Sequence, residues 1–180
     1  GKVANQNGKT VDFFYDDFLW SDSAYPGAGQ CKVLLPNANG NYQKWTVDAG
    51  SGSHYQLVNE VPPDGGVTSL ASTNVLGDIE SEALTNSGPL GITGTVNSVK
   101  SISICKFRNT PNGSIFVLLR SGTTDSFTAS AFSTPASFTT VCLLKDTNPN
   151  TGSAWLVSNL DSVETGVKEN STTRISNLDW

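Results

Sequence analysis

Three stretches in the second half of the chain set the limits on its fold. VNSVKSISICKFRN places Val96, Val99, Ile102, Ile104 and Phe107 in a nearly alternating series, while SIFVLLRSG (114–122) and SFTTVCLLKD (137–146) are continuous apolar runs. A period of two belongs to a strand, and short apolar runs bounded by turn residues suit strands covered on both faces. Turns rich in Pro, Gly, Asn and Thr separate the three runs at about the spacing of an antiparallel sandwich. Ser and Thr together outnumber the charged residues, a composition that favours a Thr-rich sheet with many turns.

The rest of the chain extends this reading. GKVANQNGKT (1–10) is polar, and VDFFYDDFLW alternates Val11, Phe13 and Tyr15 with Asp12, Phe14 and Asp16 in strand fashion. CKVLLP (31–36) reads as a strand ended by Pro36; NANGN (37–41) and YQKWTV read as the loop and second arm of a hairpin. HYQLVNEV is a further strand, and PPDGG (62–66) is a strong turn signal. From Val67 to Pro89 the pattern weakens to short strands or loops. A single short helix is expected after NPNTGS, with Trp155 or Leu156, Leu160 and Val163 on one face and Gly166 as its stop. TTRISNLDW is positioned to be a closing strand. The expected fold is therefore all-β, an antiparallel β-sandwich (jelly-roll-like) over residues 31–180, with one short helix near the C-terminus and an N-terminal arm over residues 1–30.

Charge and residue inventory remove several function classes. Eleven Lys and Arg against sixteen Asp and Glu give a net charge of −5, which offers no attractive field for a phosphate backbone. Nucleic acid is excluded as an expected partner. So is a membrane, since no apolar run approaches the roughly 18 residues of a span. With one histidine, no mechanism that needs two imidazoles is open to the chain. Cys31, Cys105 and Cys142 match no metal-binding spacing, and each falls in an apolar segment, so small buried core residues are expected. No cofactor and no metal are expected. The first residues carry no apolar signal segment, and a leading Gly is what either loss of an initiator Met or trimming leaves.

Candidate chemistry is thin. Asp146, Asn148 and Asn150 have the spacing of a calcium loop, but Gly152 comes one position late, Pro149 stiffens the centre, and Val157 stands where a bidentate Glu belongs. An Asx-type turn that caps the following helix is the better reading. His54, flanked by Ser51 and Ser53, lacks the strained elbow of a nucleophilic Ser and is read as a surface histidine. Asp16 and Asp17 are adjacent on a strand, point to opposite faces and so do not flank one glycosidic bond. No catalytic residue is expected.

The aromatic segment carries more weight. Phe13, Phe14, Tyr15, Phe18, Leu19, Trp20 and Tyr25 place large apolar groups on both faces, where a half-buried strand needs one. Two arrangements satisfy this: a strand covered on both sides by its own domain, or a face covered by another chain. The latter makes these seven residues candidates for partner binding. Alternatively, Trp20, Tyr25, Trp45 and Tyr55 are candidates for stacking on a sugar ring.

Four segments, taken in order, are VLLPNANGNYQKWT (33–46), HYQLVNEVPPDGGVTSLAS (54–72), VLLRSGTTD (117–125) and TNPNTGSAWLVSNLDSVETGVK (147–168). Their ordered set resembles a family of tailed-bacteriophage virion proteins with a β-sandwich domain. The resemblance rests on Leu35-Pro36 leading to Trp45-Thr46, on Glu60 before Pro62, Pro63, Asp64 and Gly65, and on Arg120-Ser121-Gly122. It is completed by Asn148-Pro149, Gly152 and Trp155 before Gly166-Val167-Lys168. Two departures stand out. Only some thirty residues precede the Leu-Pro segment, where many relatives carry a further lectin-like sandwich, and the stretch from Leu70 to Val96 lacks the family's charged pattern. The resemblance implies a non-enzymatic structural protein, a capsid decoration (cement) subunit or a tail or head-fibre component. It further implies synthesis in the host cytoplasm, display on the virion surface, homo-oligomerisation, and major capsid or tail proteins as partners. The reading from another class is a carbohydrate-binding β-sandwich module that recognises a host surface glycan.

Overall fold

Among the described residues every strand pairing is antiparallel, so each alternating run buries one face and turns the other outward. The computed structural model describes residues 2–4, 10–12, 30–107, 113–171 and 175–179, and the side chains of 30–106 and 113–171. Residues 1–33 and 34–180 form two compact units. In the first, β1 (Lys2–Ala4) pairs with β2 (Thr10–Asp12) through Val3 opposite Val11.

The second unit begins with β3 (Pro36–Gln43), β4 (Thr46–Ala49), β5 (Ser69–Ala71), β6 (Ile79–Leu84) and β7 (Val99–Phe107). It continues with β8 (Ser114–Ser121), β9 (Thr124–Phe127), β10 (Phe132–Ser133), β11 (Thr139–Lys145), β12 (Val163–Glu169) and β13 (Ile175–Asp179). Among the described residues one sheet has the order β10-β8-β12-β6-β3, with β9 also paired to β8, and the other runs β11-β7-β13-β5-β4. The inner faces of both sheets supply one apolar core. Ile115, Val117 and Leu119 of β8 and Val163 and Val167 of β12 meet Leu70, Val99, Cys105, Val141 and Leu143 from the other sheet. The chain is thus an antiparallel β-sandwich.

Several local expectations change in the structure. Residues 31–35 are not a strand; β3 begins at Pro36 and runs straight through the Asn-Gly expected to turn. Two register shifts, Pro36 to Ala38 and Asn39 to Gln43, absorb the irregular residues, and β3 lies at a sheet edge, where a proline leaves no ladder bond unmade. The expected hairpin does not form, because β3 and β4 enter different sheets with Trp45 buried at the crossing. HYQLVNEV is not a strand either: His54–Leu57 is a 3₁₀ turn, with the Gln56 side chain accepting from the Ser53 amide at 2.9 Å.

The expected C-terminal helix is a 3₁₀ segment, Val157–Ser162, that gives way directly to β12. Gly166 stops nothing. It sits in the middle of β12, opposite Ser81 of β6 and Leu118 of β8. The Asx-type turn forms as expected at Asn148, whose Oδ1 accepts from the Asn150 amide at 2.8 Å, but the 3₁₀ segment starts only after Leu156. The PPDGG turn also forms: Asp64 accepts from the amides of Gly66, Val67 and Thr68 at 2.8, 2.9 and 2.8 Å. Although burial opposes it, these bonds hold the Asp64 carboxyl below its ordinary range. Of the cysteines Cys105 is buried, Cys142 half-buried, and Cys31 exposed, because residues 31–35 never enter the sheet.

Gly166 is required by close approach between strands. A Cβ there would run into the Glu80 carbonyl oxygen and lie 3.0 Å from Ser81 Cα, both of them backbone atoms of a central strand that do not yield. Gly166→Ala is therefore expected to lower unfolding free energy by roughly 1 to 3 kcal/mol, measured by urea denaturation. An unchanged urea midpoint would contradict the tight β6–β12 contact.

Candidate functional site

Strand β6 carries the sequence Ile-Glu-Ser-Glu, and in a strand residues two apart share a face. Glu80 stands opposite Val167, and Glu82 opposite Thr165. Val167 belongs to the core, and the Thr165 hydroxyl meets Ser101 Oγ of the other sheet at 2.5 Å. Both glutamates therefore point into the sandwich, and both are fully buried.

Glu80 has partners on two sides. Its Oε2 accepts from the Trp45 amide at 2.8 Å, and its Oε1 lies 2.6 Å from His54 Nδ1. One carboxylate thus joins the 3₁₀ turn, the β3–β4 crossing and β6. Burial raises its pKa, opposed by His54 and the Trp45 amide. Glu82 differs. Neither of its oxygens makes a well-formed hydrogen bond, although the Glu80 carboxyl and the Gln43 side chain adjoin it. Burial first, and then the Glu80 charge, pushes Glu82 up to about 9. Ligand atoms of His54, Glu80 and Glu82 all lie within 4.8 Å of one another.

The outer face of the same sheet carries a second polar group. Arg120 of β8 stands opposite Glu164 of β12 on one side and Asp125 of β9 on the other. Arg120 Nη1 pairs with Asp125, its Nε lies 3.6 Å from Glu164 Oε1, and Tyr42 donates its hydroxyl to Asp125 Oδ2 at 2.7 Å. Glu164 also accepts from the Asn41 amide at 2.9 Å, from the Asn41 side chain and from Ser81 Oγ at 2.7 Å. Hydrogen bonding to Asp125 raises the Tyr42 pKa. A Cβ at Gly40 would lie 2.5 Å from Glu164 Oε2 and from Ser81 O, so a glycine is what lets β3 approach. Every charge here faces a partner. The network braces five strands and leaves no free nucleophile or base.

Glu169, the last residue of β12, also turns inward, opposite Ile115. It is fully buried and accepts from Ser72 Oγ at 2.9 Å. Burial pushes its carboxyl up to about 7.

The residues singled out in the sequence scatter. Phe13, Phe14, Tyr15, Phe18, Leu19, Trp20 and Tyr25, with Asp16 and Asp17, lie outside the described residues. Trp45 is 2% exposed and packs in the core, so its ring has no face to offer a sugar, and Tyr55 is half-buried. His54 is not a free surface side chain; it is the one histidine and it is drawn to Glu80. Asn150, a candidate calcium ligand by spacing, instead accepts from Thr124 Oγ1 at 2.9 Å. The glutamate cluster was missed because β6 lies in the stretch of weakest pattern. The Glu-Ser-Glu alternation was the available signal, and His54 lies 26 residues away.

No protein-family model, curated protein or solved structure matches this chain.

Glu169 gives a pH dependence of definite sign. Its folded pKa, about 7, exceeds the ordinary 4.5, so its contribution is fully present below pH 4.5 and lost as pH rises toward and through 7. Glu169→Gln should match the wild type near pH 4.5 and exceed it at pH 8, by an amount on the order of 2 kcal/mol. Urea unfolding at the two pH values measures the difference, and parallel profiles would refute the assignment.

Proposed function

We propose that this chain is a non-enzymatic structural subunit of a tailed-bacteriophage particle, a capsid decoration subunit or a tail or head-fibre component that binds neighbouring virion proteins. The observation that carries the reading is the outer face of the second sheet. An outward face bathed in water alternates to polar residues. Here Ile102 is 41% exposed and Leu144 55% exposed, and Cys142, directly opposite Ile102, and Ile104 are half-buried beside them. Lys100, opposite Leu144, and Lys106, over the Phe138 ring at 4.5 Å, add cationic groups. An apolar face with a charged margin is what a subunit contact requires.

The polar clusters support the same reading. Asp125, Glu164, Arg120 and Tyr42 are spent on one another, which suits bracing a sandwich and not turning over a substrate. The ordered sequence motifs supply the particle as the setting. The neighbours that such a face fits are the major capsid or tail proteins, or further copies of this chain.

The test is reconstitution. Purified protein mixed with particles lacking it, from the phage that encodes it, should co-sediment to a saturating copy number. Ile102→Asp and Leu144→Asp should each weaken that binding roughly tenfold or more while leaving Tm nearly unchanged, since both side chains are exposed. Absence of the chain from washed particles, together with failure to co-sediment, would end the proposal.

A further inference from the structure

We propose that His54, Glu80 and Glu82 bind one divalent transition-metal ion, Zn2+ or Mn2+, at the inner side of β6. Three independent observations converge on it. The first is geometric: one imidazole nitrogen and two carboxylate oxygens, from residues 26 and 28 positions apart along the chain, lie within 4.8 Å of one another. An ion about 2.0–2.2 Å from each donor sets tetrahedral donors roughly 3.3–3.6 Å apart, so binding opens the 2.6 Å contact of His54 Nδ1 with Glu80 and draws in any donor near the 4.8 Å bound.

The second is an unmet need. Glu82 is fully buried, its carboxylate is aimed into the cluster, and neither oxygen has a well-formed hydrogen bond. Buried carboxyl groups without partners are expensive, and among the described residues no Lys or Arg forms an ion pair with Glu80 or Glu82. A doubly charged cation takes the place of the Glu82 proton, balances the two carboxylates and occupies the Glu82 oxygens. The Gln43 amide, on β3 beside Glu82, donates its nitrogen to Tyr42 O and Ser81 O at 2.9 Å each and leaves its own buried oxygen without a partner. Two adjoining side chains at this place, Gln43 and Glu82, thus carry buried oxygens without a hydrogen-bond partner.

The third is donor chemistry. Calcium and magnesium favour all-oxygen cages, and soft ions favour thiolates. One imidazole with two carboxylates suits Zn2+ or Mn2+, with water completing the shell. The His54 side chain is 20% exposed, so one ligand of the cluster reaches solvent. Once bound, the ion ties the His54–Leu57 turn to the centre of the first sheet. Its role is to hold structure, and it goes beyond the assembly function proposed above without depending on it.

The experiment uses the full chain, stripped with EDTA and dialysed, titrated calorimetrically with Zn2+ and Mn2+, with Ca2+ and Mg2+ as comparison ions. Zn2+ or Mn2+ should bind one to one and raise Tm by several degrees, while Ca2+ and Mg2+ bind far more weakly. Glu82→Gln and His54→Gln should each lower that affinity roughly tenfold or more. Should Glu82→Gln fail to fold, His54→Gln, on a partly exposed turn, carries the test alone. No saturable binding of either transition metal overturns the proposal. So does binding that survives in the variants, which would place the ion elsewhere on the chain.

Discussion

A carboxylate turned inward from the middle of a sheet must be met by donors, and the sandwich is arranged around how Glu80 is met. Its two oxygens reach the Trp45 amide, where the chain crosses from one sheet to the other, and the His54 ring on the 3₁₀ turn. Removing the carboxylate would leave a buried amide and an imidazole without their acceptor, so three separately placed pieces of chain depend on it. Trp45 and Leu57, which flank these contacts, are both core residues. The apolar core and the polar cluster are two parts of one packing arrangement.

The same strand organises the outside of the sheet. Ser81, between the two glutamates, faces outward and donates to Glu164, which lies in a row with Arg120 and Asp125 across β12, β8 and β9. Charges in such a row neutralise one another across neighbouring strands, and Tyr42 closes it from β3. Close strand approach is the condition for both faces. Gly40 admits Glu164 and Ser81 on the outside, and Gly166 lets the β6 backbone pass at the centre. In the proposed function the contact falls to the other sheet, whose outer face carries the exposed Ile102 and Leu144.

Legibility follows from how local each feature is. β7, β8 and β11 were readable because periodicity and apolar runs are properties of consecutive residues. The turns at Asp64 and Asn148 were readable for the same reason, as their side chains bond amides two to four residues on. β3 was not, because a Pro-Asn-Ala-Asn-Gly segment has turn propensity and became a strand only by pairing with β6 at an edge. The 3₁₀ turn at His54 read as a strand because Tyr55, Leu57 and Val58 are apolar enough for either, and the core took Leu57 and Val58. Cys31 was misplaced with the strand that was expected to hold it.

By itself the sequence determined an all-β, antiparallel, turn-rich chain with an acidic and mostly uncharged-polar surface, because strand period, turn chemistry and charge count are all local or additive. The tertiary structure decided which face of β6 turned inward. A register slip of one residue would send Ser81 into the core and Glu80 and Glu82 to solvent, and nothing in Ile-Glu-Ser-Glu alone forbids it. Pairing with β12 on one side and β3 on the other fixed the choice, opposing Glu80 to Val167 and Gln43. Only then could a histidine 26 residues away meet two buried carboxylates. The cluster exists because long-range pairing set the register, and sequence spacing carries no record of that.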